Sequence, residues 1–224
     1  MKKGDSIWGG VLAFWILILA VPASRDRFIE ITEIHPYIAG FIKFSILATM
    51  GDLLGMRIVN KGWAVPKSTL AKSAVWGTIG IMVTLVFTVY MGGTAAAQAA
   101  GRLPFQGSIF AQALFGSAIM NVTFGPVMMT FHRFTDMYID LKYEDKNRKI
   151  TLSDLVEKND WHSLVEFAWI KACLFFWIAV HTLVFLLPPQ YRVIASAFLS
   201  IVMGLMLACI KLEKRQGEDM AKEF

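Results

Sequence analysis

Lys43, Asp52, Asn121, Lys171 and His181 interrupt stretches of sequence that are otherwise apolar. An ionisable group near the centre of a bilayer costs at least about 2.5–3.5 kcal/mol on insertion scales. Such groups need a partner, a water-filled cavity or a route to the interface, so the chemistry open to them is ion pairing or passage of a small polar solute. Asp52 lies seven residues above the inner end of its apolar stretch and Lys171 eight residues above the same side. At the helical rise those offsets are roughly 10 and 12 Å. Equal depth permits an Asp52–Lys171 ion pair. Lys43 and His181 lie at comparable outer depths and are both potential cations, so they would share an acceptor or line a wet cavity. Either lysine could instead send its ammonium toward an interface along its long stem. Asp52 has no such reach. It belongs either to a polar network inside a bundle or to a span whose boundary brings it near the headgroups.

A second set recurs every four residues: His132, Asp136, Asp140 and Glu144, with His162 and Glu166 repeating the interval. Imidazole and carboxylate on one helical face are transition-metal ligands in principle. A solvated acidic stripe among neighbouring Lys and Arg explains the same pattern, and no metal or other cofactor is expected. The chain has no HExxH, P-loop or GxSxG, so an enzyme is not the expectation. Cys173 and Cys209 sit inside apolar stretches without a CxxC neighbour and read as small, buried, reduced packing residues.

The elements that must position these groups are membrane spans. The chain is 56% hydrophobic, more than an ordinary soluble domain carries. Six apolar stretches, at 7–23, 36–59, 73–91, 108–129, 163–187 and 193–210, mostly approach the ~20 residues needed to cross hydrocarbon. Sixteen of the twenty-two Lys and Arg residues fall in alternate connections and only four, Arg25, Arg27, Arg102 and Arg192, in the others. Short cytoplasmic loops retain basic residues. The expected architecture is therefore one all-α polytopic bundle of about six transmembrane helices, both termini inside, with residues 133–161 as the cytoplasmic loop. The net charge of +5 follows from this asymmetry. Anionic headgroups are its counter-charge, and no nucleic-acid partner is implied.

Lys2-Lys3, the first apolar run and Val21-Pro22-Ala23 resemble a signal peptide, but Pro22 and Trp15 sit awkwardly near a cleavage site and favour an uncleaved span. The lack of an Arg- and Ser-rich transit segment points to a bacterial inner membrane. Residues 24–34 read as an interfacial helix with Ser24 as N-cap. Pro36 suits a first helical turn. A capping signal falls at Ser153–Val156, and Pro188-Pro189 sets up an antiparallel hairpin of the last two spans.

Ser196, Ser200, Gly204 and Ala208 form a four-residue period of small side chains, and Gly51 with Gly55 make a shorter one. Each is a groove where another backbone can approach closely, either within the chain or in a homo-oligomer or other assembly. Gly125-Pro126 removes a helix hydrogen bond and predicts a kink.

Three fragments together resemble the family of small membrane proteins named for Mpv-seventeen and its peroxisomal relative. They are His35-Pro36 followed by a helix ending in Gly51-Asp52; Gly125-Pro126 with Phe131-His132-Arg133 and Asp136; and Phe185-Leu186-Leu187-Pro188 with Tyr191-Arg192. The chain departs from that pattern at Met56, where the family carries Gln, and in having six spans rather than four. The resemblance implies a channel-like pathway for small solutes, with Asp52, Gly125, Pro126, Asp136 and Arg192 as inherited positions. A non-transporting assembly protein, packing through the small-residue face, is the alternative.

Overall fold

A computed structural model describes the backbone of residues 3–222 and the side chains of residues 3–213. It is 85% helical, with no strand among the described residues, and six helices are long and apolar enough to cross a membrane. The protein is an all-α polytopic membrane bundle. Among the charges that set the topology, Lys2 and the side chains of Lys214, Arg215 and Lys222 lie outside the described residues.

The first span is α1 (Lys3–Ala20), and a short helix, α2 (Pro22–Ile34), follows at once. Proline drives its predecessor out of the helical region, and Val21 is accordingly extended, at φ −84° and ψ 120°. The break therefore falls at Pro22 rather than after Ala23. Ser24 is not the cap; its hydroxyl donates back to the Ile18 carbonyl at 3.0 Å. α3 (Pro36–Val59) starts on Pro36 as expected. α4 (Thr69–Ala99) and α5 (Ile109–Glu144) are longer than the apolar stretches that seed them. Ser108 caps α5 by accepting from the Ala111 N–H at 3.2 Å. At the helical rise α5 extends ~54 Å, well past a ~30 Å hydrocarbon layer, so its last turns stand clear of that layer, on the side expected to be cytoplasmic.

The loop expected on the cytoplasmic side holds α6 (Leu152–Lys158), whose cap is Thr151 rather than Ser153. The Thr151 hydroxyl accepts from the Asp154 N–H while the Asp154 carboxylate accepts from the Thr151 N–H at 2.7 Å. A further hydrogen bond from the Thr151 hydroxyl holds the Asp154 carboxyl below its usual range.

The fifth span, Ser163–Leu186, has two windings. Residues Ser163–Trp177 form a π-helix, and α7 (Ile178–Leu186) continues it as an α-helix. At the junction the Ile178 N–H bonds the Cys173 carbonyl, five residues back. Leu187, held extended before Pro188, ends α7, and α8 (Pro189–Lys222) follows.

α3 lies at the centre, against α4 on one side and α8 on the other. The α3–α8 contact is the small-residue seam. A Cβ on Gly51 would lie 2.6 Å from the Ser200 carbonyl oxygen, and one on Gly55 3.2 Å from that of Gly204. The pairs advance by four residues in the same direction on both helices, so α3 and α8 run parallel. This fills the face of Ser200 and Gly204 with the chain's own backbone and closes it to another subunit. The expected hairpin is correspondingly slight: α8 packs far more extensively on α3 than on α7. Phe44, Leu47, Ile79, Val83, Phe185 and Ile201 fill the interior between these helices. Cys173 is buried as expected, whereas Cys209 faces outward.

Candidate functional site

The polar residues singled out by sequence separate into an inner group around a pocket and an outer group packed dry. The inner group is built from two i, i+4 ladders on antiparallel helices. On α4, Lys72 and Trp76 share a face; on α5, His132, Asp136 and Asp140 do. The ladders meet rung to rung. The Trp76 and His132 rings lie 4.1 Å apart between centroids, and Lys72 Nζ reaches Asp136 Oδ2 at 3.4 Å and Asp140 Oδ2 at 2.9 Å. From α3, Asp52 Oδ2 accepts the Trp76 indole N–H at 2.7 Å. His132 Nε2 and Asp136 Oδ1 face each other at 3.7 Å, and both are buried atoms without a hydrogen bond.

Of these side chains, Asp52, Lys72, Asp136 and Asp140 form one wall of an open pocket of about 750 Å³, with Trp76 and His132 behind them. The opposite wall comes from Gly204, Leu207, Ala208 and Lys211 of α8, and Met56 and Val59 of α3 complete it. The seam of glycines thus also sets the pocket's width. A smaller pocket, about 380 Å³, lies on the other flank of α5, where Asp136 and Asp140 are joined by Arg133, Glu144 and Lys158. The four-residue stripe is therefore a shared wall between two pockets rather than a freely solvated face. Its upper half is three-quarters covered: the His132 and Asp136 side chains are 22% and 24% exposed.

The end of the bundle carrying this pocket is the one assigned to the cytoplasm. Asp5, at the start of α1, accepts from Arg57 Nε at 3.2 Å and from Trp63 Nε1 at 2.7 Å. The N-terminal turn, the loop after α3 and the start of α4 thus share one surface.

The outer group is different. Lys43 is 1% exposed, and its ammonium donates to Thr32 Oγ1 at 2.9 Å and lies 4.5 Å above the Phe28 ring. Both partners belong to α2, which folds back over α3. No carboxylate among the described residues lies within ion-pair reach of it. Asn121 and His181 contact each other at 3.2 Å, from α5 and α7. Asn121 also donates to the Ser117 carbonyl at 2.9 Å, and the imidazole stacks on Trp177 with centroids 4.9 Å apart.

Asp52 and Lys171 do not meet. Lys171 pairs with Glu166 at 2.7 Å, and its side chain is 59% exposed. Its neighbours Ala172 and Cys173 are the residues that turn inward. The five-residue interval from Glu166 to Lys171 would lie on different faces of an α-helix but aligns in a π-helix. Lys43 and His181, likewise, share neither an acceptor nor a cavity. Among the described residues no group of three His, Cys, Asp or Glu is placed to hold a metal ion.

No protein family, curated protein or solved structure matches this chain. Its site must speak through its own geometry. The residues of the three sequence fragments take unequal places in it. Gly51, Asp52 and Asp136, from two of them, converge on the larger pocket or its seam. Gly125 lets α5 approach the fifth span; a Cβ there would lie 2.9 Å from Cys173 Sγ. Pro126 stays within α5, and Thr130 Oγ1 donates to the Pro126 carbonyl at 2.7 Å. His35 and Pro36 form the α2–α3 junction. Pro188 makes the last turn, where Arg192 Nε donates to the Leu187 carbonyl at 2.9 Å.

Lys72, which lines the pocket, belongs by sequence to the basic connections, and Trp76, which holds Asp52, lies inside an apolar stretch. Their signal was the four-residue interval opposite that of α5. Thr32 and Phe28, the partners of Lys43, carried no signal of their own.

Proposed function

We propose that this membrane protein is a channel or carrier for small polar solutes and that the pocket around Asp52 is its cytoplasmic mouth. The observation that carries this reading is a carboxylate on a membrane-spanning helix, at the wall of an open pocket, with no cation within 4 Å among the described residues. A charge serving only to hold helices together would be matched, as Asp136 and Asp140 are by Lys72. An unmatched one facing an accessible volume has its counter-charge to gain from outside. Kinship with the Mpv-seventeen family is part of the same proposal and rests on the three sequence fragments. The basic loops support an orientation with the mouth at the anionic inner leaflet, and the membrane in this reading is a bacterial cytoplasmic one.

The test is flux of small polar solutes into proteoliposomes of purified protein. Asp52→Lys should change rate or selectivity while the protein stays folded in the membrane. Unchanged flux across the solutes tested, from folded Asp52→Lys, would sink the proposal.

A further inference from the structure

The charge balance of the pocket says what kind of solute it accepts. Three carboxylates and two ammonium groups line it; Lys72 is committed to Asp136 and Asp140, and Lys211, on the opposite wall, makes no ion pair with Asp52. Asp52 is left over. Its Oδ2 is fixed by the Trp76 indole, and Trp76 itself packs against the His132 ring. A carboxylate held by an indole N–H points its remaining acceptor in a defined direction. Its second oxygen makes no hydrogen bond among the described residues. The walls next to it, Leu53, Met56 and Leu207, are apolar. A bare cation would leave that apolar surface unused, and an anion would meet Asp52 head-on. A volume of about 750 Å³ holds considerably more than an ion.

We propose that the pocket binds a primary ammonium group carried on a short alkyl chain, the ammonium on Asp52 and the chain against Met56 and Leu207. This rests on the reading of the pocket as a solute mouth, but binding can be measured without transport. The same ammonium could arrive on a soluble amine or on the headgroup of phosphatidylethanolamine, because the pocket opens at the inner membrane surface.

The experiment is equilibrium binding of radiolabelled ethylamine, protonated at neutral pH, to the full chain in phosphatidylcholine nanodiscs. Saturable binding is expected, weakened roughly tenfold or more in Asp52→Asn, as truncating one partner of a partly buried charge pair does, and retained in Asp52→Glu. Lys72→Gln removes the cation that neutralises Asp136 and Asp140, so it should bind ethylamine more tightly, a gain that misfolding cannot mimic. The Lys72→Gln arm decides the matter if Asp52→Asn fails to fold. Absence of saturable binding by the wild type, unchanged binding by folded Asp52→Asn, or weaker or equal binding by folded Lys72→Gln would each overturn the proposal. Nanodiscs containing phosphatidylethanolamine separate the sources: competition identifies the headgroup, and undiminished binding identifies a soluble amine. Binding without flux would end the transport reading and leave this one. Flux of other solutes with no ethylamine binding would do the reverse.

Discussion

The inner pocket and the outer packing of Lys43 confront the same problem, charge on a membrane helix, and they resolve it in opposite ways on the same helix, α3. At the inner end Lys72 divides itself between Asp136 and Asp140, Asp52 leans on an indole, and an open volume lies alongside. At the outer end Lys43 is sealed, with one hydroxyl and one aromatic face for company. A sealed ammonium with neutral partners depends on each of them, because desolvation costs several kcal/mol per ion and little offsets it. Charges beside an open pocket keep access to water and can exchange partners. The difference teaches that intramembrane charge marks a candidate pathway only where an accessible volume adjoins it. By that criterion Asp52 qualifies and Lys43 does not.

The comparison can be broken most severely at the seam beneath it. Gly204→Leu places side-chain atoms where a Cβ alone would be 2.5 Å from the Gly51 carbonyl oxygen. Backbone cannot yield as a flexible side chain can, so the expected loss is about 3 kcal/mol or more. Denaturation of the purified protein in detergent should show it, together with loss of the pocket. Native stability in Gly204→Leu would mean that α3 and α8 do not approach this closely.

Smaller effects should separate the two regions. Thr32→Val leaves the sealed Lys43 ammonium without its hydrogen bond and should cost about 1–3 kcal/mol. Lys43→Met removes the charge along with its need for a partner, and such replacements are often neutral or stabilising. Thermal unfolding of both variants tests the asymmetry: harm from deleting the partner, none from deleting the charge. At the inner end the pattern should invert. Asn at position 52 still offers a carbonyl to the Trp76 indole, so Asp52→Asn should cost about 1 kcal/mol or less in stability while altering flux. If Lys43→Met abolished flux and Asp52→Asn did not, the assignment of the pathway would be on the wrong end of α3.

Much of the architecture was legible before any coordinates, because its determinants are local. The loop charges, the length of the apolar runs, and Pro36, Pro188 and Ser108 each act within a few residues of the boundary they set. The small-residue period of α8 was legible as a close-packing face, but its partner was not. Nothing in one helix's sequence names the neighbour it will meet. Lys72 was hidden for a related reason. As a loop charge it satisfies the topology by itself, and nothing local to α4 signals its alignment with Asp136 and Asp140 on α5. Thr32 lies on an amphipathic segment whose apolar periodicity says nothing about a hydroxyl folding back onto Lys43. The π winding was the least legible feature. Depth estimated at α-helical rise presumes the spacing that residues 163–177 do not adopt.

That winding makes the subtlest prediction. Equal depth suggested that Asp52 and Lys171 are partners, and equal depth is what the π-helix undermines, since it changes both the rise and the direction in which residue 171 points. In the structure Lys171 answers to Glu166, five residues earlier on its own helix, at an exposed surface where such pairs contribute little. Lys171→Met should therefore leave thermal stability, ethylamine binding and flux unchanged. The double variant with Asp52→Asn should equal the sum of the single variants, as expected for residues without a shared contact. A non-additive cycle would mean that the two charges do find each other in the membrane. It would also mean that the fifth span winds as an ordinary α-helix there, turning Lys171 inward. Additivity would instead confine the functional charge of this bundle to the ladder of α4 and α5 and the single carboxylate of α3 that faces it.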